Sequence, residues 1–212
     1  MNNTTLREIV SSPELHVKWI NTLSFLENCG AKKIMRAYHP LNVNEVILKH
    51  AAEEARHAYF MKRQIAKVDR GACETYSLKS LLAPIETLHY LQQLDVETSR
   101  IVKEEMGLSA YDLRYLSYLL VTYAIELRAD ELYPKYQTAL EKSGSPVSVI
   151  AIIKEEENHL LEMQKMLQEF DPNWKVLAEK IVAIETDLND RWCQKIQEQV
   201  QQLTGNPELS VN

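Results

Sequence analysis

The sequence predicts an all-α fold, made of two antiparallel helical hairpins joined by a crossover helix, with one further helix at the C-terminus. Three observations carry this expectation. Gly (5) and Pro (7) are scarce among 212 residues, while Leu, Ala, Glu, Lys and Gln, all good helix formers, are abundant. Caps and proline-bearing breaks divide the chain into six helical segments. Inside two of these a Glu stands three residues before a His, Glu54-Ala-Arg-His57 and Glu156-Glu157-Asn158-His159, and a helix with an inward Glu precedes each. The length suits one domain, residues 1–212, with its core over about 13–170 and an extra helix over about 172–203.

The first helix is expected over residues 13–38, with Ser12 as N-cap and Pro13 at the first helical position, and His39-Pro40 ends it. Asn42 is a candidate cap for a second helix that runs to about Val68 and stops near Gly71. Residues 69–77 read as a loop, followed by a third helix to about Met106. Ser109 with Asp112 three residues later opens a fourth helix, which ends at Ser143-Gly144. Ser145-Pro146 reads as a cap and first-turn proline for the fifth, and Asp171-Pro172 separates the fifth from a sixth reaching about Leu203. The tail after Gly205 reads as loose. The connections after the first and fourth helices are short, so each pairs with its successor as a hairpin; the third is long enough to cross between them.

The apolar faces are interrupted in one place on each core helix. In the first helix Ile20, Leu23, Glu27, Ala31 and Ile34 share a stripe. In the second, Ile47, His50, Glu54, His57 and Met61 do so, and in the fifth Ile153, Glu156, His159 and Met163. Glu and His at i and i+3 reach one point beside their helix. A buried carboxylate must be paired, protonated or metal-bound, and several such acids at one level share a cation more naturally than they find private ones. Glu27 and Glu54 sit equally far from the first hairpin's turn, so they face each other. On the fourth helix Tyr123, Glu126, Asp130 and Tyr133 share a face. Levelling across the second hairpin favours Asp130 or Glu131. Glu126 is preferred because thirty residues then separate it from Glu156, against twenty-seven between Glu27 and Glu54, and because it avoids the distortion expected before Pro134.

Chance predicts less than one Glu-x-x-His with 23 Glu and six His in the chain; three occur. The third, Glu86-Thr-Leu-His89, lies on the crossover and reads as a surface or partly buried pair rather than ligands. His50, one turn before Glu54, reads as a core or supporting histidine, and His16 and His39 as terminal polar residues. Asp130, Glu131 and Glu97 are the candidate carboxylates for orienting a ligand histidine. Cys29 reads as a buried small side chain, and Lys32-Lys33 and Lys62-Arg63 as solvated charge. The stripe Trp174, Leu177, Ile181, Ile184, Leu188 and Trp192 is expected either to pack across the bundle or to form the seam of a homodimer.

A net charge of −6 without a basic stripe argues against nucleic acid or an anionic membrane as partner. No apolar run is long enough to span a bilayer, residues 1–12 are polar, and the three cysteines form no Cys-x-x-Cys pair. Free thiols and a cytoplasmic location are the expectation, and no rubredoxin-type module is fused.

On the paired Glu and Glu-x-x-His motifs, residues 13–170 resemble the ferritin-like di-iron carboxylate superfamily, which includes rubrerythrin, the ribonucleotide reductase small subunit and aldehyde-deformylating oxygenases. The heme-oxygenase-like di-iron fold fits this spacing less well. The resemblance implies a ferritin-like four-helix bundle with one metal held by Glu27 and His57, a second by Glu126 and His159, and Glu54 and Glu156 bridging. Two iron ions, manganese or a mixed pair suit such ligands, with open positions for O2 or peroxide. Four carboxylates and two divalent ions would be neutral together. The implied function is a dinuclear oxidoreductase, first an oxygenase or hydroxylase on a small apolar or amphipathic molecule, second a rubrerythrin-like peroxidase or ferroxidase. An external electron donor is then required. Tyr123, one turn from Glu126, is the candidate to hydrogen-bond a ligand or support electron transfer. The reading of another class is a metal-free scaffold with buried salt bridges.

Overall fold

The computed structural model describes residues 1–37, 41 and 43–205, with the side chains of residues 37 and 157 outside that description. Among these residues every regular element is helical: α1 (Asn3–Ser11), α2 (Pro13–Ala37), α3 (Glu45–Ile65), α4 (Pro84–Met106), α5 (Ala110–Ser143), α6 (Ile150–Phe170) and α7 (Trp174–Gly205), with a short 3-10 turn at Leu78–Ser80. The expected helix end at Tyr38-His39-Pro40, the cap at Asn42 and the tail after Gly205 fall outside the described residues.

Four departures from the sequence reading have local causes. α1 is an additional helix: Asn2 caps it by accepting from the Thr5 N–H (2.8 Å), and Leu6, Ile9 and Val10 are buried at i, i+3 and i+4. α3 is capped by Asn44, whose side chain accepts from the Ile47 N–H (3.0 Å). α4 starts at Pro84 rather than just after Ser77, because the preceding Ala83 takes a left-handed conformation (φ 40°) and the proline occupies the first turn. α6 starts at Ile150, not at Pro146. Val147 and Val149 are buried there, and the Val149 N–H donates to Gln137 Oε1 (2.9 Å), so residues 145–149 run back along α5. That return brings the start of α6 level with Gln137, and ten residues on it brings His159 level with Glu126.

Packing is dominated by the hairpins α2–α3 and α5–α6, with α4 lying on both α5 and α7 and α1 closing the end near the C-terminal part of α5. The expected α7 stripe is buried within its own chain apart from a half-buried Ile184. Trp192 stacks between Trp19 (5.8 Å) and Tyr90 (5.6 Å) and donates from Nε1 to Thr87 Oγ1 (2.8 Å). Buried Glu185 of α7 accepts from Tyr90 Oη of α4 and from Arg128 of α5 (Nη2–Oε2 2.8 Å), which fixes the register of three helices. Lys62, expected in solvent, instead donates to Asn21 Oδ1 (2.5 Å) and the Cys73 carbonyl (2.7 Å) and pins the 66–83 connection to α2.

The interior holds two apolar clusters. One contains Leu23 of α2, Met61 of α3, Tyr133 of α5 and Ile152 of α6; the other contains Ile34, Ala51, Ala124 and Met163 of the same four helices. Each helix therefore passes from one cluster to the other through a single polar turn.

His16, read from the sequence as a terminal polar residue, is buried in the first cluster, because α1 covers the start of α2. Its Nε2 hydrogen-bonds Tyr136 Oη (2.8 Å), and burial drives its pKa down to about 4. The unfolded chain takes up that proton near pH 6.5. The neutral His16 thus contributes its full stability above pH 6.5, and this is lost as pH falls toward 4, by about 2 kcal/mol between pH 7.5 and 5. Urea melts of wild type and His16→Gln should show the gap between them shrink by that amount over this range. A constant gap would mean that His16 takes up its proton as readily in the fold as in the unfolded chain.

Candidate metal centre

The polar turns of α2, α3, α5 and α6 meet. Ligand atoms of Glu27, Glu54, His57 and Glu156 lie within 4.8 Å of one another, as do those of His50, Glu54, Glu126 and His159, so each group could hold a metal ion. Glu54 belongs to both. Glu156 also reaches both, with Oε1 3.0 Å from His57 Nδ1 and Oε2 2.9 Å from His159 Nδ1. All six residues singled out in the sequence are brought together, and Glu126 is 4 % exposed where Asp130 and Glu131 face solvent.

Each histidine has an inner and an outer nitrogen. His57 Nε2 donates to Glu155 (2.7 Å), which in turn is gripped by Arg56 through two bonds (2.7 and 3.0 Å). His159 Nε2 donates to Glu53 (2.9 Å). The partnerships are exchanged: α6 supplies the outer carboxylate for the histidine of α3, and α3 supplies the one for α6. Such outer carboxylates fix a ring's tautomer and leave the other nitrogen free for a metal. His57 Nδ1 is the inner atom: it is buried, it faces Glu156 Oε1 at 3.0 Å and Glu27 Oε2 at 3.7 Å, and neither contact has the geometry of a hydrogen bond.

The donor chemistry fits a cation. Four carboxylates gather here, Glu54, Glu126 and Glu156 buried and Glu27 half-buried, and among the described residues no Lys or Arg makes an ion pair with any of them; their ion-pair partners are the three histidines. Protons therefore stand in for the missing positive charge. Burial opposes a charged His57, but Glu156 and Glu27 outweigh it and hold its pKa up to about 12. His159 is lifted in the same way by Glu126 and Glu156 against burial, to about 11. Burial, then the charge of Glu27, pushes Glu54 upward. Glu126 moves down, since hydrogen bonds from His159 and His50 overcome its burial. A metal ion held here would have to compete with those protons, so its retention would weaken as pH falls.

Several residues take other places than the sequence suggested. His50 is not merely supporting: its Nε2 lies 3.3 Å from Glu126 and 3.5 Å from Glu54, and Tyr118 holds its Nδ1 (2.9 Å). Tyr123 turns away from the carboxylates and packs edge-on against Trp174 (5.1 Å); the tyrosine that reaches the group is Tyr133, which donates to Glu27. Of the candidate orienting acids, Asp130 is exposed, Glu131 pairs with Arg128 and Glu97 with Arg100, and the outer carboxylates are Glu53 and Glu155. Glu86 and His89 lie on α4 outside both groups, with His89 exposed. Cys29, Cys73 and Cys193 are free and half-buried. No described helix is long and apolar enough to cross a membrane.

Gly30 makes room for the centre. A Cβ there would stand 2.9 Å from Glu54 Oε2, so any other residue would push the end of that shared carboxylate from its position. No family model, curated protein or solved structure matches the chain.

Gly30→Ala should favour the α2 helix by up to about 1 kcal/mol, since alanine is the better helix former. The methyl displaces only the end of a flexible side chain, so the fold should survive while Glu54 leaves its position. The expected result is an unchanged or raised melting temperature of the metal-free protein with a several-fold drop in metal retained after desalting. Full retention would show that Glu54 is not needed where it stands.

Proposed function

We propose that this chain is a dinuclear non-haem iron or manganese oxidoreductase that activates O2 or peroxide, working as an oxygenase or hydroxylase on a small apolar or amphipathic molecule. The observation that carries this reading is the pair of donor groups sharing Glu54, each with a histidine whose outer nitrogen is held by a carboxylate. The fold that goes with it is ferritin-like: α2, α3, α5 and α6 as the four-helix bundle, α4 as the crossover and α7 as the additional helix.

In this reading Glu27 and His57 would hold one metal and Glu126 and His159 the other, with His50 beside them, and Glu54 and Glu156 would be shared between the two. The metal pair, when bound, supplies the redox equivalents for O2 or peroxide chemistry. The protein's own residues do the rest. Glu53 and Glu155 keep both imidazoles aimed inward. Tyr133 holds Glu27 by its hydroxyl proton, and the two apolar clusters keep water from either side of the polar layer. An oxygenase is favoured over a peroxidase because a cleft of about 510 Å³, of small-molecule size, opens onto Glu54 and Glu126. Electrons come from an external donor.

The test is elemental analysis and melting curves on protein given ferrous iron or manganese without oxygen, before and after chelation. About two metals per chain are expected. At free metal roughly 1,000-fold above Kd, binding contributes about 4 kcal/mol, which for a chain of this size raises Tm by roughly 10 °C. Glu54→Ala should abolish that rise and Glu86→Ala should leave it intact. Neither metal nor a shift would point to a metal-free helical scaffold. Metal with peroxide consumption but no reductant-driven O2 uptake would point to a rubrerythrin-like peroxidase or ferroxidase.

A further inference from the structure

The cleft that opens onto Glu54 and Glu126 is polarised along its length. It runs between α2, α4 and α5, and its residues on α5 succeed one another from Arg114 through Ser117, Val121 and Ile125 to Glu126. At roughly 1.5 Å per residue, Arg114 lies about 18 Å from the level of Glu126 and Ser117 about 13 Å. The middle of the cleft is apolar, with Phe25, Ile34, Leu91, Val121 and Ile125 on its walls.

Its outer end is cationic. Lys32, Lys33 and Arg36 come from the last turns of α2 and Arg114 from the first turns of α5. Lys33 is engaged, since it donates to the Leu91 carbonyl (2.6 Å) and pairs with Asp95 (2.5 Å), and so bridges α2 to α4 across the cleft. No ion pair to Lys32, Arg36 or Arg114 occurs among the described residues, and all three are exposed. In a chain of net charge −6 this leaves a local excess of positive charge at one end of one cleft.

One turn inside Arg114, on the same face of α5, stands Ser117. It is only 6 % exposed and lines the cleft, yet its Oγ has no hydrogen-bond partner among the described residues. A buried hydroxyl without a partner costs on the order of 1–3 kcal/mol, so a ligand group that bonds Ser117 Oγ would recover that cost.

We infer that this cleft binds an amphipathic anion, with its carboxylate or phosphate end received by Arg114, Ser117, Lys32 and Arg36 and its apolar chain laid along α5 toward Glu126. The inference rests on the proposed function for the claim that the far end of the chain is where reaction occurs; the binding itself does not depend on it. The anionic end is held by charge-assisted bonds and fixes orientation, while the chain contributes by burial. A neutral or cationic head on the same chain lacks those bonds, and a cation meets like charge.

The experiment is calorimetric titration of the full chain with decanoate, decyl phosphate, decanol and decylamine, on metal-loaded and on chelated protein. Decanoate or decyl phosphate should bind roughly tenfold or more tightly than decanol, and decylamine should not bind. Carboxylate over phosphate, or the reverse, tells which head group the site prefers. The exposed triple change Lys32→Glu, Arg36→Glu and Arg114→Glu should remove the preference for the anion, and Ser117→Ala should weaken decanoate by about fivefold. Thr122→Trp, which fills the cleft, should abolish binding of every probe with metal content unchanged. Equal affinity for decanoate and decanol, or wild-type binding in the triple variant, would overturn the inference while leaving the metal reading standing. Selective binding to a protein that never takes up metal would support the cleft and overturn the proposed function instead.

Discussion

Four carboxylates gathered at one level of a helical interior, with no Lys or Arg ion-paired to them among the described residues, set the terms for the rest of this molecule. Such acids cannot all be ionised and left alone, because burying an unpaired charge costs several kcal/mol, roughly. Three histidines share the layer, and protons on them are one answer; divalent cations are the other. Either way the layer must be positioned closely, and much of the surrounding structure reads as the means. Gly30 thins α2 where Glu54 needs room, Tyr133 anchors Glu27, and Glu53 and Glu155 turn the rings. The apolar clusters on both sides supply the cohesion that the polar layer lacks.

α4 and α7 act at a distance from this layer. The Tyr90–Glu185–Arg128 network and the Trp19–Trp192–Tyr90 stack lock them onto α5 and α2. Because α4 lies against α5, it also forms one wall of the cleft that leads to Glu54 and Glu126. The helix read from sequence as a connector is thus also a wall of that cleft. The apolar stripe of α7, which could have marked a dimer seam, is used within the chain.

What was legible in the sequence were features that repeat along one helix. Glu and His three apart, set in an apolar stripe, identify a face without knowledge of the neighbours, and so Glu27, Glu54, His57, Glu126, Glu156 and His159 could be singled out together. Features that exist only between helices were not legible. Glu53 and Glu155 sit about 100° round from the inward face of their own helices and acquire meaning only when the opposite helix is in place. A signal was nonetheless present, since Glu-Glu precedes x-x-His in both halves. His50 shares the stripe with Glu54, but a histidine one turn from a carboxylate reads equally as a core or supporting residue. Gly30, a mid-helix glycine three residues after Glu27, was a further mark of a close approach. The start of α6 differs from the sequence reading because Ser145-Pro146 has the chemistry of a cap, while burial of Val147 and Val149 keeps the segment out of the helix.

The exchange of outer carboxylates has a consequence for how the protein is made. His57 and Glu155 are 98 residues apart in the chain, and His159 and Glu53 are 106 apart. At roughly 5–20 residues per second, α3 leaves the ribosome many seconds before the segment that orients its histidine and supplies Glu156. A nascent chain with only the first hairpin outside holds four of the seven acids and histidines of the centre, Glu27, His50, Glu54 and His57, with neither Glu-x-x-His ring fixed. Neither four-residue donor group is complete until α5 and α6 have been made, so any metal the centre takes up would enter after synthesis of α6 rather than guide it.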